Sequence, residues 1–340
     1  MVKRTILPRT FLFYPIFLAL AAAGCDSCKR TTPVVKAAPV PIALGRAAYV
    51  TDNGSDQISV IDRDSPTVVA RSVDIDPDAH EAPHHLAIDH RTKKLFVALA
   101  FPPPPDAEAK GPHSGHGNAT NPGKLARLDL ETLTVEATVE VDENPGDIAL
   151  THDGSKVLVT HFDMKRAMTA AAAGKPPNEM FSTIQIWDAV KMTKLGERAL
   201  CVAPHGIAVT RDDKSAIVAC YGSDEIAIVD LTAPGLPTSR IVLGEKTGVL
   251  GAPRFGPYAV ALSPSGAKVL IDDLEGQDVR VLDLASTKLG GSVALGARAM
   301  ISIFVDETSA IVPLQAPDGL ARVDIEAETV TAQIAFTKDQ

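Results

Sequence analysis

The sequence predicts an all-β fold, a β-propeller of four-stranded antiparallel blades, with six blades the simplest count and seven the alternative. Three observations predict it. A strand–turn–strand unit closed by an aspartate recurs six times along the 340 residues. The basic spacing of these units is about 42 residues, the shortest intervals between closing aspartates being 42 and 41. Each unit contains short stretches in which apolar and polar residues alternate, as burial of one face of a strand requires.

The six units read AAYVTDNGSDQISVID, KLFVALA…KLARLD, KVLVTHF…TIQIWD, SAIVACYGSDEIAIVD, KVLIDDLEGQDVRVLD and SAIVPLQAPDGLARVD. They close on Asp62, Asp129, Asp188, Asp230, Asp283 and Asp324, at spacings of 67, 59, 42, 53 and 41. The longer spacings are the basic period plus insertions. Five units are preceded by a further apolar segment (PHHLAID, PGDIALT, PHGIAVT, PYAVALS, RAMISIF), and each closing aspartate is followed by another alternating stretch. Each unit therefore holds four strands, a to d, joined by Gly, Asp and Ser turns. A period of 40–45 residues with four strands is the mark of a propeller blade, and such a blade buries its faces only by stacking on its neighbours. The first unit shows strands b to d; Pro41 to Leu44 supplies its strand a and closes the ring at six. The aromatic content of 4% implies blades filled by Val, Ile, Leu and Ala.

Ahead of the repeats lies a leader. Lys3, Arg4 and Arg9 precede an apolar run from Phe11 to Ala23, which is broken only by Pro15 and is too short to span a bilayer. The run ends Ala22-Ala23-Gly24-Cys25, which resembles a bacterial lipobox. That resemblance implies removal of residues 1–24 and attachment of lipid to Cys25, leaving the protein exported, membrane-anchored through its N-terminus and facing the periplasm or cell surface. Ordinary secretory cleavage near Ala23 is the rival reading. Residues 25–43, rich in Pro and Ala, form a flexible tether, and residues 44–340 form the propeller. Loss of the leader's three basic residues would take the formal net charge from −9 to −12. That balance disfavours nucleic acid as a partner.

Tyr49-Val50-Thr51-Asp52-Asn53-Gly54, followed by Ile58-Ser59-Val60-Ile61-Asp62, resembles the YVTN β-propeller repeat, and so does Pro204 to Asp230. The resemblance covers roughly residues 47–336. It implies fold more than activity: the family includes surface-layer and envelope proteins, and related propellers include lactonases and the heavy subunits of periplasmic amine dehydrogenases. Seven blades are common in that family, but the sequence offers no seventh repeat.

Function is expected on the face where the b–c and d–a connections gather. Two b–c loops are enlarged, near residues 101–123 and 163–182; the first is Pro- and Gly-rich, and the Ala-rich centre of the second favours a short helix. Histidines concentrate on the same face. His84 and His205 open strand a two blades apart, His85 follows His84, Asp147 stands one step further along in the blade between, His161 ends strand b of the third blade, and His113 and His116 lie in the first long loop. Converging imidazoles and a carboxylate are what zinc, copper or iron would need. The alternative is that these histidines only hydrogen-bond loops or water. Asp74-Ile75-Asp76-Pro77-Asp78 resembles the start of a calcium loop, but Ala79 and His85 stand where Gly and Glu belong, so it reads as a solvated turn. Asp272 and Asp273, at the end of a strand b on the loop-rich face, are a carboxylate pair that reads first as solvated turn acids, with cation ligands or a general base as the alternative. The closing aspartates recur in every blade and read as turn residues.

Cys28 sits in the tether, and Cys25-x-x-Cys28 is followed by Lys29 rather than the His of a haem attachment site. Cys201 shortly precedes strand a of the fourth blade and Cys220 ends its strand b, so the two sulfurs are candidates for a disulfide in an exported protein. Either sulfur as a soft metal ligand is the rival reading. The sequence has no Gly-x-Ser-x-Gly elbow and no phosphate-cradling glycine loop. The leading functional reading is thus a non-catalytic envelope module that binds a protein partner through its loop-rich face. A metal-binding or redox accessory is the first alternative, and a lactonase-like or dehydrogenase-subunit-like enzyme the second.

Overall fold

In the computed structural model, residues 46–66, 69–100, 117, 119 and 121–336 are described. They form a six-bladed β-propeller. The leader, Cys25, Cys28, the Pro41–Leu44 segment, His113 and His116 lie outside the described residues.

Blade one comprises β1 (Ala47–Asp52), β2 (Gln57–Asp62) and β3 (Val69–Val73). Blade two runs β4 (Pro83–Asp89), β5 (Lys94–Leu99), β6 (Pro122–Asp129), β7 (Val135–Glu143). Blade three runs β8 (Pro145–Leu150), β9 (Lys156–His161), β10 (Ser182–Asp188), β11 (Lys194–Cys201). Blade four is β12 (Pro204–Val209), β13 (Ser215–Cys220), β14 (Glu225–Asp230), β15 (Thr238–Val242), and blade five is β16 (Pro257–Leu262), β17 (Lys268–Asp273), β18 (Asp278–Asp283), β19 (Lys288–Ala294). In blade six, β20 (Arg298–Ala299) and β21 (Ile303–Phe304) both pair β22 (Ser309–Gln315), followed by β23 (Gly319–Asp324) and β24 (Thr329–Ala335). The expected single strand RAMISIF is thus two short pieces. Its break holds Ser302, whose backbone N–H and hydroxyl turn to Asp272 instead of the sheet.

The strands follow from burial. Strand b of blades two to five is apolar and buried almost end to end, because it is covered on both faces by neighbouring blades. Leu158, Val218 and Leu270 are fully buried. Outer strands such as β7 and β11 alternate, since one side meets solvent. The closing aspartates serve the c–d turns. Asp129 accepts from the N–H of Glu131 and Thr132 (3.1 and 2.9 Å), and Asp188 from Val190 and Lys191 (2.9 and 2.7 Å). These amides hold both carboxyls below the ordinary carboxylate value.

The b–c insertion of blade three carries helix α1 (Met164–Ala172). Asp163 caps it by accepting from Arg166 N–H at 2.9 Å, and Ala167 and Ala170 bury its inner side. The helix borders a surface cleft of about 470 Å³ lined by Glu143, Asp163, Lys165, Arg166 and Lys175 among others.

Candidate metal centre

Each of the four complete inner strands is entered in the same way. A residue in the left-handed region comes first: Ala82 (φ 47°), Asn144 (54°), Ala203 (50°) and Gly256 (59°). A proline opens the strand next: Pro83, Pro145, Pro204 and Pro257. Proline is tolerated there because it opens the strand beside a bulge, where no ladder N–H is needed. The inner strand then spends one more residue than its partner before pairing resumes, at Leu86, Ile148, Ile207 and Ala259. Such a bulge re-aims side chains. The second residue of each strand is His84, Gly146, His205 or Tyr258, and the third His85, Asp147, Gly206 or Ala259.

The bulges bring His84, His85 and His205 together: one ring nitrogen of each lies within 4.8 Å of the others. Ring centroids are 4.4 Å apart for His84–His85, 5.2 Å for His85–His205 and 5.9 Å for His84–His205. Blades two and four are not adjacent; blade three, between them, has Gly146 at the position that His84 and His205 occupy. A Cβ there would sit 3.1 Å from Thr160 Oγ1 and 3.4 Å from His205 Cδ2. At Gly206 a Cβ would lie 2.5 Å from Ala259 Cα, so glycine is also what lets β12 approach β16.

Hydrogen bonds fix two of the ring tautomers. His205 is fully buried, and its Nδ1 donates to Tyr258 O at 3.0 Å. The Tyr258 ring stacks on it at 3.8 Å, and Phe162 meets it edge-on at 5.2 Å. His85 Nδ1 lies 2.9 Å from Asp147 Oδ1. With both Nδ1 atoms so engaged, Nε2 is the nitrogen through which His85 and His205 would hold an ion. An imidazole held at its other nitrogen by a carboxylate or carbonyl is the usual arrangement behind a metal ligand. Asp147 itself is committed elsewhere. Oδ1 also accepts from Ile148 N–H (2.7 Å) and Oδ2 from Ile207 N–H (3.1 Å). Burial pushes its carboxyl up, but His85, His205 and the Ile207 amide outweigh this and hold it below the ordinary value. Asp147, expected as a ligand, lies against His85 and the Ile148 and Ile207 amides and is not among the three side chains whose ligand atoms converge within 4.8 Å.

His161 does not join the three. Side chains alternate along β9, so Thr160 faces blade four while His161 faces the other way, its Nδ1 3.1 Å from Thr183 O and 3.0 Å from Thr183 Oγ1. Burial lowers its pKa.

Cys201 and Cys220 are joined by a disulfide, with Cα atoms 5.9 Å apart, and neither sulfur is a donor to the centre. Cys201 is the last residue of β11, the outer strand of blade three, so the bond crosses between blades. Asp272 and Asp273 are not solvated. Both are fully buried. Asp272 is held by Ser302 N–H and hydroxyl (both 2.8 Å), and burial pushes its carboxyl up to about 7. Asp273 meets Arg280 Nε at 2.7 Å, yet burial and neighbouring Asp278 leave its carboxyl well above the ordinary value. In the β3–β4 connection it is Glu81, unnoticed in the sequence, that is buried. It accepts from Asp76 N–H at 2.7 Å and is pushed up to about 7 by burial and by Asp56.

No protein-family model and no curated protein matches the chain. Solved structures do. A functionally unknown protein from Desulfotomaculum acetoxidans DSM 771 superposes with a TM-score of 0.60 at 11% identity, over 86% of this chain and 79% of that one. The dihydro-heme d1 dehydrogenase NirN, in complex with DHE, superposes with a TM-score of 0.56 at 14% identity. That match takes in 87% of this chain and 55% of NirN, so the chain spans about half of NirN. At these identities the likeness establishes the propeller fold alone.

Proposed function

We propose that this chain is a cell-envelope β-propeller that binds one zinc or copper ion at its mouth through His84, His85 and His205. The convergence of three ring nitrogens within 4.8 Å carries the reading. Neutral imidazoles suit both metals, and the Asp147 and Tyr258 contacts supply the outer-sphere orientation that metal-binding histidines need. Placement in the envelope is supported by the leader and the Ala22-Ala23-Gly24-Cys25 segment, and the YVTN-like repeats are in keeping with it.

The test is metal content by mass spectrometry on the full chain, exported and purified without chelator or histidine tag. Near-stoichiometric zinc or copper, lost from H84A/H205A, supports the centre. Negligible metal that reconstitution cannot restore overturns it. Iron with tetrapyrrole absorption would point instead to a haem-type cofactor, the class named for NirN.

Partner binding is the second reading, favoured by the α1 insertion. The insertion presents a charged cleft and Met168, which is 61% exposed, on a rigid scaffold.

A further inference from the structure

At three of the strand entries at the mouth, a polar side chain braces the residue that leads directly into the strand. Ala82, which leads into β4, donates its N–H to Asp56 Oδ1 (2.7 Å) and accepts from Asn53 Nδ2 (3.2 Å). Asn144, which leads into β8, uses its own side chain to accept from Ala119 N–H at 2.7 Å. Gly256, which leads into β16, donates to Asp224 Oδ1 at 2.9 Å, and Phe255 does the same. Asp56 and Asp224 are the same residue of the repeat, the aspartate of Gly-Ser-Asp in a b–c turn, each bracing the entry to the following blade. In blade three that turn is replaced by the insertion around α1, and the aspartate with it. The entry to β12, which carries His205, has the Cys201–Cys220 bond in its place.

The bond is well placed to do this. Only Val202 and Ala203 separate Cys201 from Pro204, and Pro204 is the register partner of Cys220. The disulfide therefore ties both ends of a two-residue link whose Ala203 sits at φ 50°, a region that side-chain-bearing residues occupy at a cost. Gly222 N–H to Val202 O (2.9 Å) and Val202 N–H to Ser223 Oγ (3.1 Å) hold the middle of the link.

We infer that oxidation of Cys201 and Cys220 assembles the metal centre, by fixing the strand entry that presents His205 and by removing two thiols that would compete for the same ion. The inference rests on the three-histidine reading. Two thiols lose two protons and two electrons to the disulfide of an exchange partner; one S–S bond forms here and one breaks there, yielding a dithiol. Before that step, Cys201, which precedes Pro204-His205 by two residues, and Cys220, the register partner of Pro204, are soft thiols that would compete with imidazole for copper or zinc. Afterwards both residues are fully buried and shielded from thiols, so oxidation precedes metal loading.

Cobalt(II), whose spectrum reports its ligands, tests this on the full chain in three forms: oxidised, reduced, and C201A/C220V, which refills the sulfur volume. The oxidised chain should bind cobalt with no thiolate-to-metal charge-transfer band. The double variant, native by circular dichroism, should bind at least about tenfold more weakly, the size of effect seen when outer-sphere support is lost. The reduced chain should show the thiolate band. Wild-type affinity in the folded double variant overturns the positioning role. Absence of the band in the reduced chain overturns the competition, and this arm does not depend on the variant folding. Failure of the oxidised chain to take up cobalt would instead sink the three-histidine reading itself.

Discussion

The Thr160 hydroxyl donates to the backbone carbonyl of His205 at 2.6 Å, across the boundary between blades three and four. Thr51 does the same for His84 at 2.8 Å, across the boundary between blades one and two. Both threonines are the penultimate residue of a strand b, so one repeat position braces both histidine-bearing inner strands. In blade five the position holds Asp272, which braces the next inner strand through Ser302.

Thr160→Val should therefore weaken metal binding without removing a ligand. Thr160 Oγ1 also accepts from Asp147 N–H at 2.9 Å, so the change strips a buried carbonyl and a half-buried amide of one partner. The expected destabilisation is about 1–3 kcal/mol, with a loss of metal affinity. Chemical denaturation and a metal titration on the same samples check both; unchanged affinity would mean the threonine serves the fold alone.

Asp147→Asn retains size and most acceptor geometry but removes the charge that orients His85. Metal affinity should fall about 10- to 100-fold, while the unliganded protein keeps its fold by circular dichroism. Were Asp147 a direct ligand, the cobalt spectrum of the variant would change as well as its affinity.

Asp272 gives a pH dependence with a definite sign. Its folded pKa, about 7, lies above the value of about 3.9 expected in an unfolded chain. The folded state thus holds an extra proton between these values, and this group's contribution to stability is full below about pH 4 and is lost as pH rises to about 7. D272N should lack that component. The stability of wild type relative to D272N should decline by up to about 4 kcal/mol between pH 4 and pH 7.5 in denaturant titrations. A constant difference across that range would show that the carboxyl titrates normally.

Cys25→Ser should release the exported protein from the membrane. The wild-type chain should partition into detergent and carry the mass of a lipid, whereas the variant should be recovered in the aqueous phase. Equal partitioning of the two would point to secretory cleavage without lipid.

The repeat period, the four strands of a blade and the turn role of the closing aspartates were legible in the sequence, because they arise from local alternation and from side chains bonding amides two or three residues on. The same repeat alignment placed His84 and His205 at equivalent positions. It also brought Cys201 near Cys220, since neighbouring strands leave few choices of partner. Register across the blades decided the rest. Alternation along β9 shows that Thr160 and His161 point opposite ways, but only the packed neighbours determine that Thr160 faces His205. Asp272 looks like a turn acid until the broken inner strand of blade six delivers Ser302 to it. That Asp147 also accepts from the Ile207 amide is decided only by the bulge of β12. Sequence periodicity sets which residues share a face of a strand. What that face meets depends on contacts between blades some 60 residues apart in the chain, as Asp147 and Ile207 are, and those exist only once the ring has formed.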